Sequence, residues 1–254
     1  MLLSILDAVA FSSIWVAAAA GALCASASLA MGVTPTFSVA GIAVSGTLFV
    51  YNVDRLRDLD RDRATTPERS AFVERNRGIL VALTVAAGLV SLAFAFSVGP
   101  GPTLLLLPVL AAGLAHRRLK RMPFAKSAYI TAAWLLVVVG VPAAAEPAAA
   151  NVAGTMGILG SAIFANAIAS NVRDAEAAVV RFGRGPVLNT ARVAAALGML
   201  LGAAAPPAVR PLIAVSLATL AALVAFRAGE RYGLIAVDGA LLVGALLAVG
   251  WRVA

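Results

Sequence analysis

Apolar runs of membrane-spanning length succeed one another along the sequence, at 8–30, 36–55, 78–98, 102–116, 127–146, 149–170, 188–206, 210–227 and 232–252. A helix needs about 20 mostly apolar residues to cross a bilayer, and inside lipid its backbone N–H and C=O groups must be satisfied within the segment itself. Nine such runs leave only short loops in 254 residues. The expected fold is therefore all-α: a polytopic membrane protein, a single domain over 1–254, with nine transmembrane helices bundled around a central cavity. An apolar fraction of 61%, a charged fraction of 13% and a mean hydropathy of +0.95 exclude a soluble or disordered chain.

The breaks between runs are chemically sensible. Pro35 stands in a first turn, Gly99-Pro100-Gly101-Pro102 separates the third and fourth runs, Pro147 the fifth and sixth, and Pro206-Pro207 the seventh and eighth. The segment 1–30 is apolar and ends in small residues like a signal peptide. It lacks a basic leader, carries Asp7 and precedes further spans, so it is expected to persist as the first helix. Gly154, Gly157 and Gly160 are expected to let helix backbones approach. Cys24, the single cysteine, has no internal disulfide partner and reads as part of a packed apolar face. Trp15, Trp134 and Trp251 fit packing or interfacial roles.

A net charge of +8 would point to nucleic acid in a soluble protein, but in a membrane protein basic residues first report orientation, and no nucleic-acid partner is expected. Arg55, Arg57, Arg61, Arg63, Arg69, Arg75 and Arg77 follow the second run. Arg117, Arg118, Lys120, Arg121 and Lys126 follow the fourth, Arg173, Arg181, Arg184 and Arg192 the sixth, and Arg227 and Arg231 the eighth. Of the 20 basic residues only Arg210 and Arg252 fall opposite. The basic face is expected to be cytoplasmic, in a cell inner membrane by default, with the N-terminus on the other side. Most acidic residues share that face; Asp7, Glu146 and Asp238 do not.

Two acidic clusters lie among these loops. In Tyr51-Asn52-Val53-Asp54-Arg55-Leu56-Arg57-Asp58-Leu59-Asp60-Arg61-Asp62-Arg63, a continued helix places Asp54, Asp58 and Asp62 on one face and Asp60 elsewhere. Stacked carboxylates repel unless a cation neutralises them, and hard oxygen ligands beside a phosphate suit Mg²⁺. The other possibility is an alternating-charge helix end in which each Asp pairs with an Arg. In Ser170-Asn171-Val172-Arg173-Asp174-Ala175-Glu176, Asn171 and Asp174 share a helical face and Glu176 follows as the helix frays, giving either a second Mg²⁺ set or a polar helix cap. Between the clusters lies the basic loop Arg117-Arg118-Leu119-Lys120-Arg121-Met122-Pro123-Phe124-Ala125-Lys126, suited to anionic headgroups or to a diphosphate clamped by metal.

With these motifs in this order, the chain resembles the UbiA superfamily of intramembrane prenyltransferases. Asp54-Arg55-Leu56-Arg57-Asp58 looks like that family's Asp-Arg-x-x-Asp core, Leu119-Lys120-Arg121-Met122-Pro123 like its Leu-Lys-Arg-x-Pro element, and 171–176 is similar to its Asn-Asp-x-x-Asp-x-Glu stretch. Asn52 lies two residues before Asp54, where the family's Asn usually lies four before, and the second motif has one Asp fewer beside Asn171 and Ala178 at a further acidic position.

The resemblance implies transfer of a prenyl group from an isoprenyl diphosphate to a hydrophobic acceptor within the bilayer. It implies Mg²⁺ on Asp54, Asp58, Asp62, Asn171, Asp174 and Glu176, diphosphate contacts from Asn52, Lys120, Arg121, Asn171 and Arg173, and catalysis by Asp54, Asp58, Asp174, Lys120 and Arg121. Asn166 and Asp238 are polar residues within runs six and nine, expected at the cavity or in an interhelical hydrogen bond. His116, the one histidine, reads as an interfacial polar residue, and no general base stands out. The alternatives are a noncatalytic or transport protein of the same fold and a related cyclase. No obligatory protein partner is indicated.

Overall fold

The computed structural model describes residues 2–109, 111 and 122–253. Its elements are α1 (Leu2–Phe11), α2 (Ile14–Ala30), α3 (Phe37–Arg57), α4 (Leu59–Asp62), α5 (Pro67–Arg75), α6 (Arg77–Val98), α7 (Pro100–Val109), α8 (Ala125–Ala145), α9 (Val152–Arg173), α10 (Ala177–Phe182), α11 (Arg184–Ala204), α12 (Arg210–Val224) and α13 (Tyr232–Val253). Every element among the described residues is helical.

Side-chain size decides which way each helix faces. On α6, Val85, Leu89, Leu92 and Phe96 point outward at helical spacing, while Leu80, Thr84, Ala87 and Ala95 are buried. On α11, Val193, Leu197 and Leu200 face out, and Val187, Ala191, Ala195, Gly198 and Gly202 face in. Large apolar groups outside and small ones inside is the pattern of helices whose solvent is lipid. The main core joins α2, α3, α8, α9, α12 and α13.

Six helices, α3, α6, α8, α9, α11 and α13, are long and apolar enough to cross a membrane. The first expected run is a pair, α1 and α2, bent by 68° at the Ser12-Ser13 break. Ser13 sits in the left-handed region with φ of 67°. The runs expected at 102–116 and 210–227 correspond to the shorter helices α7 and α12, the former running into residues outside those described. The described residues thus carry a polytopic helical membrane fold with six full-length spans, or seven with the bent pair, short of the nine expected.

Two helices depart from α geometry. Pro142 supplies no N–H to its i−4 carbonyl, and the chain before it widens into a π-segment, Leu136–Gly140, in which the Val141 N–H reaches back five residues to Leu136. A second π-segment, Tyr232–Val237, opens α13.

The position of the N-terminus corrects the sequence expectation. The chain leaves the basic end along α2 and returns to it along α3, so α1 lies at that end, where Asp7 meets Arg231 at 3.0 Å. Two crossings restore the starting side; Asp7 belongs to the charged face after all.

Glycine packing is also redistributed. An added Cβ at Gly154 or Gly157 would meet only ordinary contacts, and at Gly160 a flexible Leu135 side chain at 3.2 Å. The tight approach is at Gly244 on α13, where a Cβ would stand 2.5 Å from Val215 Cα and 2.8 Å from the Ala214 carbonyl oxygen of α12. Backbone has nowhere to move, so Gly244→Ala is expected to destabilise the bundle by about 2 kcal/mol, read as a lowered midpoint of thermal unfolding in detergent, whereas Gly154→Ala leaves it unchanged.

Candidate functional site

The last turns of α3 carry the first acidic cluster. α3 ends with Asp58 as its cap and α4 resumes at once, yet the four-residue ladder survives: the Asp58 N–H donates to the Asp54 carbonyl at 2.9 Å and the Asp62 N–H to the Asp58 carbonyl at 3.0 Å. Asp54, Asp58 and Asp62 therefore succeed one another as the spacing predicts, with Asp60 95% exposed. Arg57 reaches both Asp54, at 3.3 Å, and Asp58, at 3.6 Å. Asp62 is paired with Arg69 at 2.8 Å.

Arg69 comes from α5, which is pinned over this end by Glu230. The Glu230 carboxylate accepts from the backbone N–H groups of Glu68 at 3.1 Å and Arg69 at 2.7 Å, capping the positive end of α5. Burial pushes the Glu230 carboxyl up despite these bonds.

α9 brings the second cluster. Asn171 is buried; its amide nitrogen donates to Ser127 Oγ at 2.8 Å, and its Oδ1 is a buried acceptor with no partner among the described residues. Arg173 grips Asp174 with two bonds of 2.7 and 3.0 Å. Instead of fraying, the helix closes on itself. Ala175 adopts the left-handed region at φ of 48°, and the Glu176 N–H returns to the Asn171 carbonyl at 3.0 Å. That turn aims Glu176 at Lys126 of α8, with which it forms an ion pair.

The two clusters lie within electrostatic range of one another. Burial raises the Asp62 carboxyl, Arg69 opposes this, and the carboxylates of Asp174, Asp54 and Asp58 push it further up. Burial would also raise Asp174, but Arg173, with help from Lys126 and Arg69, holds it down at about 2. Carboxylates that are far apart in sequence thus share one electrostatic neighbourhood at the basic end of the bundle.

Beneath this rim lies a polar layer within the bundle. Asn166 donates to Asp238 Oδ1 at 3.1 Å and to the Val237 carbonyl at 3.0 Å. Trp134 Nε1 donates to the Tyr51 hydroxyl at 3.3 Å. Arg55 turns inward and donates to the carbonyls of Ala10 and Phe11 at the end of α1. Gly233 makes room for the stem of Arg173, whose Cδ would lie 2.7 Å from a Cβ there.

Measured against the expected site residues, the fold gathers Asp54, Asp58, Asp62, Arg173, Asp174 and Glu176 at one end, with Asn171 at their edge. Asn52 is turned to the α1–α2 junction, where its Oδ1 accepts from Ser13 Oγ at 2.8 Å. Lys120, Arg121 and His116 lie outside the described residues. Among the described residues no three acidic, His or Cys side chains converge as a metal-binding group. The oxygen-rich donor set matches a hard dication in kind, but its members are held by Arg57, Arg69, Arg173 and Lys126. The sequence placed Lys126 in the basic loop and Arg55 in the first motif without a partner for either, and gave no site role to Arg69 or Glu230. A Pro-Glu-Arg triplet opening a helix was the only local signal for Arg69.

Comparisons with protein-family models, curated proteins and solved structures found no match, so the likeness to the prenyltransferase superfamily stands on the motif residues alone and no family is assigned.

Two outcomes follow from α9's end. An Ala in the left-handed region costs about 1 kcal/mol, so Ala175→Gly is expected to raise thermal stability by that amount. Asp174, held at about 2 against an ordinary 3.8, contributes stability that is complete above the ordinary value and is lost as pH falls toward about 2. Acid unfolding of the wild type between pH 5 and 2 should therefore be steeper than that of Asp174→Asn.

Proposed function

We propose that the chain transfers the prenyl group of an isoprenyl diphosphate to a hydrophobic acceptor inside the bilayer, with the diphosphate docked between the ends of α3 and α9. The observation that supports this is that Asp62 lies within electrostatic range of Asp54, Asp58 and Asp174 at one end of an apolar bundle. An isoprenyl tail needs apolar helix faces, and its headgroup needs charge at the interface. Nine crossings and a cytoplasmic position for the charged end complete the topology, on the basic-loop asymmetry.

Asp54, Asp58 and Asp62 on one side, and Asn171, Asp174 and Glu176 on the other, are the residues that would hold Mg²⁺. The unpartnered Asn171 Oδ1 is an oxygen of the right kind. Bound there, Mg²⁺ supplies neutralisation of the charge that grows on the departing diphosphate. Arg57 and Arg173 hand over their carboxylates and, with Arg69 and Lys126, turn their donors toward phosphate oxygens. Lys120 and Arg121 are assigned to the same diphosphate on the sequence. The apolar walls keep water from the reacting carbon.

The competing possibility, a salt-bridged and noncatalytic rim, draws on the ion pairs themselves, since each clustered Asp has a basic neighbour. Binding of radiolabelled geranylgeranyl diphosphate to purified protein separates the two. Prenyl transfer requires binding that depends on Mg²⁺ and falls at least a hundredfold in the Asp54→Asn, Asp58→Asn variant; equal binding in chelator favours the rim. Incubation of membranes with labelled diphosphates of several lengths and a panel of acceptors then separates transfer from cyclisation by product.

A further inference from the structure

Cations at the charged end are matched by acids on one side only. Around α3, α4 and α5, Arg57, Arg63 and Arg69 are each held by an Asp or Glu. Between Glu176 and Glu230 the chain carries Arg181, Arg184, Arg192, Arg210 and Arg227 and no acidic residue at all. Arg210 opens α12 at the far end of the bundle, and the other four belong to the charged end. Arg192 donates to the Leu223 carbonyl and to Asn189 Oδ1, both neutral. Arg181 and Arg184 form no ion pair with a described residue, so this side of the end lacks counter-charge of its own.

Local structure sets two of these cations beside apolar groups that point outward. α10 is a short helix between α9 and α11, and its Ala178 is buried among Ala169, Val172, Val187 and Ala191. Side chains this small let α10 lie close against the ends of its neighbours. Gly183, at φ of 81°, then turns the chain directly into α11, a conformation that suits glycine. Val180 is left 81% exposed and Phe182 46% exposed, with Arg181 and Arg184 exposed next to them. Phe182 stacks on Phe124, which precedes α8, with ring centres 6.0 Å apart, and the Arg181 guanidinium lies 5.4 Å from the centre of the Phe182 ring.

An outward valine and phenylalanine are costly in water, and unpaired arginines call for anions. One environment satisfies both, the boundary between headgroups and acyl chains in a leaflet that carries anionic lipid. A guanidinium fork also matches the paired oxygens of a phosphate. We propose that the corner formed by α10 and the start of α11 binds the headgroup of an anionic phospholipid, with Arg181 and Arg184 taking the phosphate and Val180 and Phe182 entering the acyl boundary. The site lies on the far side of Glu176 in the chain from the carboxylates assigned to the diphosphate, and it stands whether or not the protein transfers a prenyl group.

Dioctanoyl phosphatidylglycerol and dioctanoyl phosphatidylcholine share tails and phosphate and differ in net charge. Titrated against the full chain in neutral detergent and followed by microscale thermophoresis, the glycerol lipid is expected to bind at least tenfold more tightly. Arg181→Gln with Arg184→Gln is expected to cut that preference at least fivefold. Arg63→Gln with Arg75→Gln, which removes the same charge from the acid-rich side, is expected to keep it. Val180→Ser with Phe182→Ser is expected to weaken both lipids alike. Equal binding of the two lipids by the wild type overturns the proposal and needs no folded variant, and a preference that survives the loss of Arg181 and Arg184 overturns it too. Glycerol 3-phosphate, which has the phosphate and no tails, is expected to leave the lipid bound; its displacing the lipid at matched concentration identifies a site for free phosphate and overturns the lipid assignment.

Discussion

A charge or a hydrogen-bonding group placed in hydrocarbon has to find its partner within the protein, and most of the charged end can be understood from that requirement. Backbone groups meet it by forming helices, so the described chain is helical almost throughout. Side chains meet it by converging: Arg57 bridges two aspartates, Arg69 leaves α5 for Asp62, Arg173 folds onto Asp174, and Lys126 reaches Glu176. Removing one member of a buried pair costs about 3 to 5 kcal/mol. The buried ones do more than decorate the surface: Arg69–Asp62 ties α5 to α4, and Lys126–Glu176 ties α8 to the end of α9, where the fold would otherwise rely on small-residue packing.

The same contacts set the terms on which any ligand can enter. On the prenyl-transfer proposal, a diphosphate with its cation would compete with guanidinium groups for the carboxylates, and with carboxylates for the guanidinium groups. Such an exchange conserves ion pairing, so it involves little net loss of electrostatic stabilisation, in contrast to binding at an apolar surface. Selectivity then comes from shape and from the groups left over, among them the Asn171 oxygen at the rim.

The sequence made the helical membrane architecture legible because the apolar runs have the length that a bilayer demands, and it made the acidic face of α3 legible because a four-residue spacing survives even the break at Asp58. The charged end could be assembled from loop charges alone. What was not legible depended on local geometry without a composition signal. The 68° bend after Phe11 lies in a run that is apolar on both sides. The left-handed Ala175 turns Glu176 back toward α8 although the position usually belongs to glycine. The resemblance assigns Asn52 to the diphosphate, but two residues before Asp54 along a helix is more than half a turn, and it faces Ser13 instead. The side of the N-terminus was misassigned, although counting crossings from the basic loop would have placed it correctly.

The π-segment that opens α13 has a genetic corollary. A widened turn holds one residue more than an α-helical turn of the same height, so Tyr232–Val237 is equivalent to a single-codon insertion in an otherwise regular helix. Deleting one codon there would close the widened turn to an α-helical turn of the same height and leave the residues on either side facing as before, whereas a codon deleted from the regular α-helix beyond Asp238 would rotate one side against the other by about 100°. Such a change is invisible to hydropathy, and the widened turn is the place in this span that can absorb it while Glu230 stays on α5 and Arg231 on Asp7.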